Sequence, residues 1–367
     1  MKLARALFFL WLFGACVFPC AAQERRVKSH AGLHPVADAR GKWGFIDRTG
    51  RFRIAPRYEG AGEFSEGVAY AWLWEGGWRR DGIVEENGRF TELPAVNDSA
   101  FVFRDGLARF QTPLGEERKY GYMDKTGRVV IPPQFHDSGH FSEGLAWVAV
   151  LKERKWLYGF IDKTGTIVIE PQFVYQPGDF VDGLAKVIGQ SSSGFIGRSG
   201  EFRLMVDYER SGDFFTEGLL PVVQGDPPRG VYLKRNGRVA FETPFWQHRT
   251  ARQRSLYTIR RLELAPFSEG LAPALSFNKL GFIDRTARVV IEPLFRETSG
   301  FSEGLAAVKI IGSDGRYVWG YIDRAGRFAV APRFSEAHPF AGGLARVATP
   351  DGKKQLIDAT GKVIWQL

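Results

Sequence analysis

The sequence predicts an all-β repeat array, and three observations carry that expectation. Short apolar runs are punctuated by glycine-centred turns, with 43 glycines and 14% aromatic residues against three methionines, a composition that favours short strands over helices. A Gly-Phe-Ile-Asp-x-x-Gly string recurs about nine times. A second string, Phe-Ser-Glu-Gly-Leu-Ala in its fullest form, sits between the copies, its glycines 34 to 39 residues apart except for one interval of 52. A period of that size marks stacked supersecondary units.

In chain order, the first element lies outside the array. Lys2 and Arg5 precede an apolar run from Ala6 to Phe18, and Ala21 and Ala22 supply small residues ahead of a cut before Gln23. This is the pattern of a secretory signal over residues 1–22, too short to span a bilayer comfortably. The expectation is an exported, periplasmic or extracellular protein. The alternatives are an uncleaved anchor or a lipid on Cys16 or Cys20. These are the only cysteines, so the cut chain has no thiol and no disulfide. Residues 23–31 form an N-terminal segment, and 32–367 form the array.

Each repeat reads as a three-stranded antiparallel meander. In Gly-Leu-Ala-x-Val the alanine and valine share one strand face. The next strand is (Trp/Tyr)-Gly-Phe-Ile-Asp, clearest from Trp43, Tyr120, Tyr158, Leu280 and Trp319, less so from Ser193, and degenerate from Arg80, Gly230 and Lys354. Asp-Arg-Thr-Gly is a tight-turn sequence, because aspartate accepts from the backbone two residues on and glycine tolerates positive φ. A third strand such as Arg-Val-Val-Ile returns and stops at a proline, as at Pro56, Pro132, Pro171, Pro293 and Pro332. A unit of ~40 residues cannot bury a core alone, so neighbours must stack.

These strings resemble the bacterial WG-repeat family, also called KWG repeats, over nearly the whole chain after the signal. The resemblance implies a β-rich scaffold and supplies no catalytic site. Nine complete meanders counted from Gly32, with no unit split between the termini, favour an open twisted solenoid over a closed propeller-like ring. The last strand tells against this: it ends on Trp365 and Leu367, a poor exposed edge that something should cover.

The formal charge is +9, or +7 once Lys2 and Arg5 are removed. For an exported chain this points to anionic envelope polymers or membrane surfaces, with nucleic acid not expected. Asp162-Lys163-Thr164-Gly165-Thr166 matches the phosphorylated string of cation pumps, but its sisters at Asp47 and Asp124 make it a turn. His136 and His140 are spaced for a helix that Gly139 forbids, which leaves a solvated loop and no metal site. The acids at Glu66, Asp105, Glu143, Asp182, Glu217, Glu269 and Glu303 read as turn residues before positive-φ glycines, or else as a row of rim carboxylates. No nucleophile elbow, zinc-helix string or thiol is present, so a cofactor-free non-enzyme is expected.

Two departures from the repeat remain as candidate ligand-binding sites. An insert at 246–261 interleaves Trp246, His248 and Tyr257 with Arg249, Arg252, Arg254, Arg260 and Arg261, a composition suited to an anion by charge and stacking. Trp72, Trp74 and Trp78 cluster before Arg79 and Arg80, where Trp72 and Trp74 share a face that could stack sugars or peptide, or pack in the core. The leading expectation is a binding scaffold of the envelope or secretome, engaging a protein partner or anionic polymer. The alternatives are a glycan-binding module built on Trp72 and Trp74, and a structural or adhesion protein that assembles end to end.

Overall fold

A computed structural model describes residues 32–93, 101–112, 117–189, 192–207, 211–225, 229–243, 265–276 and 279–366. The described residues form nine small antiparallel sheets and no helix. The fourth blade is representative: a short first strand Asp137–Ser138, then Leu145–Lys152, Lys155–Asp162 and Ile167–Phe173, each hydrogen-bonded to the next. The three meander strands fall where the sequence placed them. Five of the nine blades add the short first strand, which the sequence reading missed because the strings involved, such as Asp137-Ser138-Gly139, carry no apolar alternation. The last strand of a blade buries few side chains, as in Ile167–Phe173 where Ile169 and Phe173 are the buried ones. It therefore forms the outside of the molecule, and the first strand the inside.

The cores lie between blades. Leu145, Trp147, Phe160, Ile169 and Phe173 of the fourth blade pack against Phe180, Ala185, Val187 and Ile196 of the fifth. At seven of the nine junctions, those leading into the third and the first blades excepted, an aromatic ring of the Gly-Phe-Ile-Asp strand meets edge-on the phenylalanine that opens the next blade's second motif. Phe45–Phe64, Tyr122–Phe141, Phe160–Phe180 and Tyr321–Phe340 lie 4.7–4.9 Å apart between centroids. Such pairs contribute roughly 0.5–1.5 kcal/mol beyond their area.

The open solenoid is overturned, because the same junction recurs between the ninth blade and the first. Val36 and Ile46 of the first blade share a core with Leu344 and Leu356 of the ninth, with Phe52, Ile364 and Trp365 packed against it. Trp365 and Phe52 meet edge-on at 5.2 Å. The turn glycine Gly50 rests on Ile364, much as Gly165 rests on Ile131 of the preceding blade. His34 Nε2 lies 3.3 Å from the Gly342 carbonyl oxygen. The molecule is a closed nine-bladed β-propeller. The unsplit count of meanders misled because closure here needs no shared blade: the poor edge at Trp365 is covered by the first unit. Closure also removes the free ends that end-to-end assembly would use.

Candidate binding surface

The blades have two ends of different chemistry. At one end lie the turns Ser-Glu-Gly-Leu and Asp-x-Thr-Gly; at the other lie the hairpins between second and third strands and the connections between blades. The first end holds the ring together. In Ser142-Glu143-Gly144-Leu145 the backbone exchanges both bonds, Ser142 N–H to Leu145 O at 2.9 Å and Leu145 N–H to Ser142 O at 3.2 Å. Glu143 and Gly144 both have positive φ, 55° and 79°, the pattern of a primed hairpin turn. Six further turn acids sit at φ between 50° and 55°.

That conformation aims each carboxylate at the following blade. Glu143 accepts from the backbone N–H of Asp182 at 2.6 Å and of Gly183 at 2.8 Å. Glu269 does the same for Glu303 and Gly304, and Glu303 for Gly342 and Gly343. Glu66, Asp105 and Glu217 each accept one such bond, from Gly106, Gly144 and Gly270. The neighbouring serine adds a second link, Ser65, Ser142, Ser268 and Ser302 donating to the carbonyls of Phe103, Phe180, Phe301 and Phe340. The basic residue of the Asp-x-Thr-Gly turn reaches back: Lys125 to Glu66 O, Arg198 to Glu143 O, Arg285 to Glu217 O and Arg324 to Glu269 O, at 2.5–2.8 Å. These acids are the turn residues before positive-φ glycines that the sequence predicts, and they do not form a free rim of carboxylates. They clasp one blade to the next, and bonds to ionised groups are the stronger class.

The pump-like string is a turn within this system. Asp162 Oδ1 accepts from the Thr164 hydroxyl at 2.6 Å and from the N–H of Thr164 and Thr166 at 2.9 and 3.1 Å. The Thr164 hydroxyl, with those N–H groups, holds the carboxyl below the ordinary aspartate value. Asp47 and Asp284 repeat the arrangement with Thr49 and Thr286.

The histidines flank the short strand Asp137–Ser138, His136 at the bend before it and His140 after it, and both are half-buried rather than fully solvated. His136 Nε2 lies 2.7 Å from Lys119 Nζ and its ring meets Trp156. His140 is half-buried beside the inner strands, and burial, reinforced by the charges of Arg104 and Arg109, pushes its pKa down to about 4. Whereas His136 meets Lys119 and Trp156, His140 Nδ1 is buried with no hydrogen-bond partner among the described residues. Among the described residues no group of His, Cys, Asp and Glu is disposed to hold a metal.

The tryptophan cluster occupies the other end of the ring. Val68–Glu75 and Trp78–Glu85 form a long hairpin closed by Gly76 and Gly77. Trp72 is packed against the core below, with the Arg79 guanidinium 4.6 Å from its ring centroid. Trp74 is 57% exposed and Trp78 is 78% exposed. The rings of Trp72 and Trp74 stand at 83° to one another, so they offer no shared flat platform. Trp246, His248, Arg249, Arg252, Arg254, Tyr257, Arg260 and Arg261 lie outside the described residues. The strand before them, Val239–Glu242, runs toward the hairpin end of the ring. Exposed apolar tips on the fourth and eighth blades, at Leu151 and Trp156 and at Ile311 and Tyr317, escaped the sequence reading, because the repeat gives no sign of how far a hairpin projects.

Among solved structures, the chain is similar to a eukaryotic initiation factor, at 12% identity with a TM-score of 0.44, covering 93% of this chain and 86% of that one. It is also similar to Kluyvelomyces marxianus Hsv2, at 9% identity and a TM-score of 0.37 over 59% and 69% of the two chains. A Bacteroides caccae protein of unknown function matches at 14% and 0.28 over 60% and 92%. These likenesses are too loose to bear on the ring, which rests on the seam contacts between its first and ninth blades. No curated protein matches the chain. The family model of the WG containing repeat matches residues 43–72, 120–156, 158–188, 281–312 and 319–353. These stretches run through blades that share one strand order, and the chain carries the WG repeat at these five places, consistent with a WG-repeat family.

Proposed function

We propose that the protein is a non-catalytic binding scaffold, exported to the envelope or beyond, that engages a protein partner or an anionic envelope polymer on the hairpin end of its ring. One observation carries the reading: the charged residues of the repeat are engaged in clasps between blades, so the side chains left to meet a partner are those where the repeat is broken. Of the departures named from the sequence, the Trp72–Arg80 hairpin lies at the hairpin end, and the arginine-rich insert follows a strand, Val239–Glu242, that runs toward that end. Basic residues with aromatic neighbours suit anionic groups through charge, forked hydrogen bonds and stacking.

The test is retention of components of a native envelope extract on the intact protein and on a deletion of 247–261. The deletion should fold with an unchanged melting curve and lose its salt-sensitive retention. Equal retention by the deletion would remove the insert from the binding surface. Sugar stacking is the second reading, supported by the exposed rings of Trp74 and Trp78 rather than by Trp72 and Trp74 acting together.

A further inference from the structure

We propose that the hairpin end of the ring docks on a lipid surface bearing anionic headgroups, through apolar tips on the second, fourth and eighth blades. Each tip carries two large apolar side chains beside its turn. Trp74 and Trp78 flank the turn of the second blade; Leu151 pairs with Trp156 on the fourth, and Ile311 with Tyr317 on the eighth. All six rank among the exposed large hydrophobic residues. Each lies between the second and third strands of its blade, so all three tips point the same way.

Their placement in the ring argues for a planar partner. The third blade separates the first two tips, the fifth to seventh separate the second pair, and the ninth and first separate the last. Three points spread around a closed ring define a plane. The described tips between them, 38–42 and 349–353, are polar, with Asp38, Arg40, Lys42, Asp351 and Lys353. A protein interface gathers its apolar contacts into one buried core with a polar rim, whereas a lipid surface accepts separate wedges.

The residue types agree. Tryptophan and tyrosine settle at headgroup depth, with an apolar body and a polar edge, while leucine and isoleucine favour the acyl boundary. The fourth blade's tip also presents Lys152, Arg154 and Lys155 against a single acid, Glu153, all exposed. On a chain of net charge +9 this favours anionic headgroups. The fold does not need these side chains: the equivalent strands of the first, fifth and ninth blades have four residues where those of the second and fourth have eight.

The test must separate tip contact from any lipid affinity of the apolar run at Ala6 to Phe18. The full chain carries Cys16→Ser and Cys20→Ser, with a single labelling cysteine at Lys155→Cys on the hairpin end or Arg128→Cys on the clasp end. An environment-sensitive fluorophore is followed as vesicles of phosphatidylcholine and phosphatidylglycerol containing a spin-labelled lipid are added. The label at 155 should shift to the blue and be quenched, while the label at 128 stays in water. Trp78→Ser, Trp156→Ser and Tyr317→Ser together should weaken quenching at 155 by about tenfold with no change in the unfolding midpoint. Equal quenching at both ends, no response at 155, or undiminished binding by the serine variant would each overturn the proposal. Capture of an envelope protein without a vesicle response would do so too, while leaving the scaffold reading intact.

Discussion

At the scale of single residues, His140 shows what the ring imposes on a group that its own repeat position does not require. Sister blades place Gly300 or Pro339 before the phenylalanine of the second motif; the fourth blade places an imidazole there, half-buried and under the field of Arg104 and Arg109. Burial first and those charges second lower its pKa from the ordinary 6.5 to about 4. The unfolded chain therefore takes up a proton between pH 6.5 and 4 that the folded chain refuses. Stability from this site is complete above pH 6.5 and is lost as pH falls toward 4. The intact protein should lose about 2 kcal/mol between pH 7 and pH 4.5 relative to His140→Gln, measured as urea unfolding at the two pH values. Parallel losses in both proteins would exclude His140 as the source. The turn aspartates Asp47, Asp162 and Asp284, held low by their threonines, act in the window below pH 4 and leave this one clear.

At the scale of the element, the two signature strings have separate tasks. The glycine of Trp-Gly is a matter of space. A β-carbon on Gly121 would lie 2.5 Å from the Ile131 carbonyl oxygen, and on Gly320 2.8 Å from that of Val330. The outer strand bulges there, its register shifting against the third strand between Tyr120 and Tyr122 and between Trp319 and Tyr321. The strands and the Asp-x-Thr-Gly turns were legible in the sequence because they are local. The bulge and the clasps were not, since Glu143 meets Gly183 only when two blades stand side by side. The seventh blade's turn tests the local part. It carries Ala287 at φ 67° where sister turns have glycine, while keeping the bond from Ala287 N–H to Asp284 O at 3.1 Å. Left-handed backbone costs an L-residue roughly 1–2 kcal/mol. Ala287→Gly should therefore raise stability by about 1 kcal/mol, after the added flexibility of the unfolded glycine, and a lower midpoint in urea would refute the strain.

At the scale of the whole molecule, closure turns on the most degenerate units of the chain. The ninth blade has Gly342 where the second to eighth blades have the turn acid, so among the described residues that carboxylate clasp is lacking at the seam with the first. What crosses instead is the His34–Gly342 contact and packing: Arg48 of the first blade lies against Gly343, where a β-carbon would fall 2.5 Å from Arg48 Cδ. Such a contact was hidden in the sequence, because it joins residues from opposite ends of the chain and no local pattern marks them as neighbours. It also supplies a comparison that separates ring from open array. Gly343 and Gly304 occupy the same turn position with nearly equal φ, 86° and 82°, but nothing lies within 4 Å of the position a β-carbon would take on Gly304. Alanine at either site pays the same backbone strain, roughly 1–2 kcal/mol. At Gly343 it must also displace Arg48, an exposed and flexible side chain, at a cost of up to about 1 kcal/mol. Gly343→Ala should accordingly be the more destabilising by up to that margin, and Arg48→Ala should erase the difference. Equal losses at the two glycines would mean that Arg48 does not rest against Gly343 across the seam in solution.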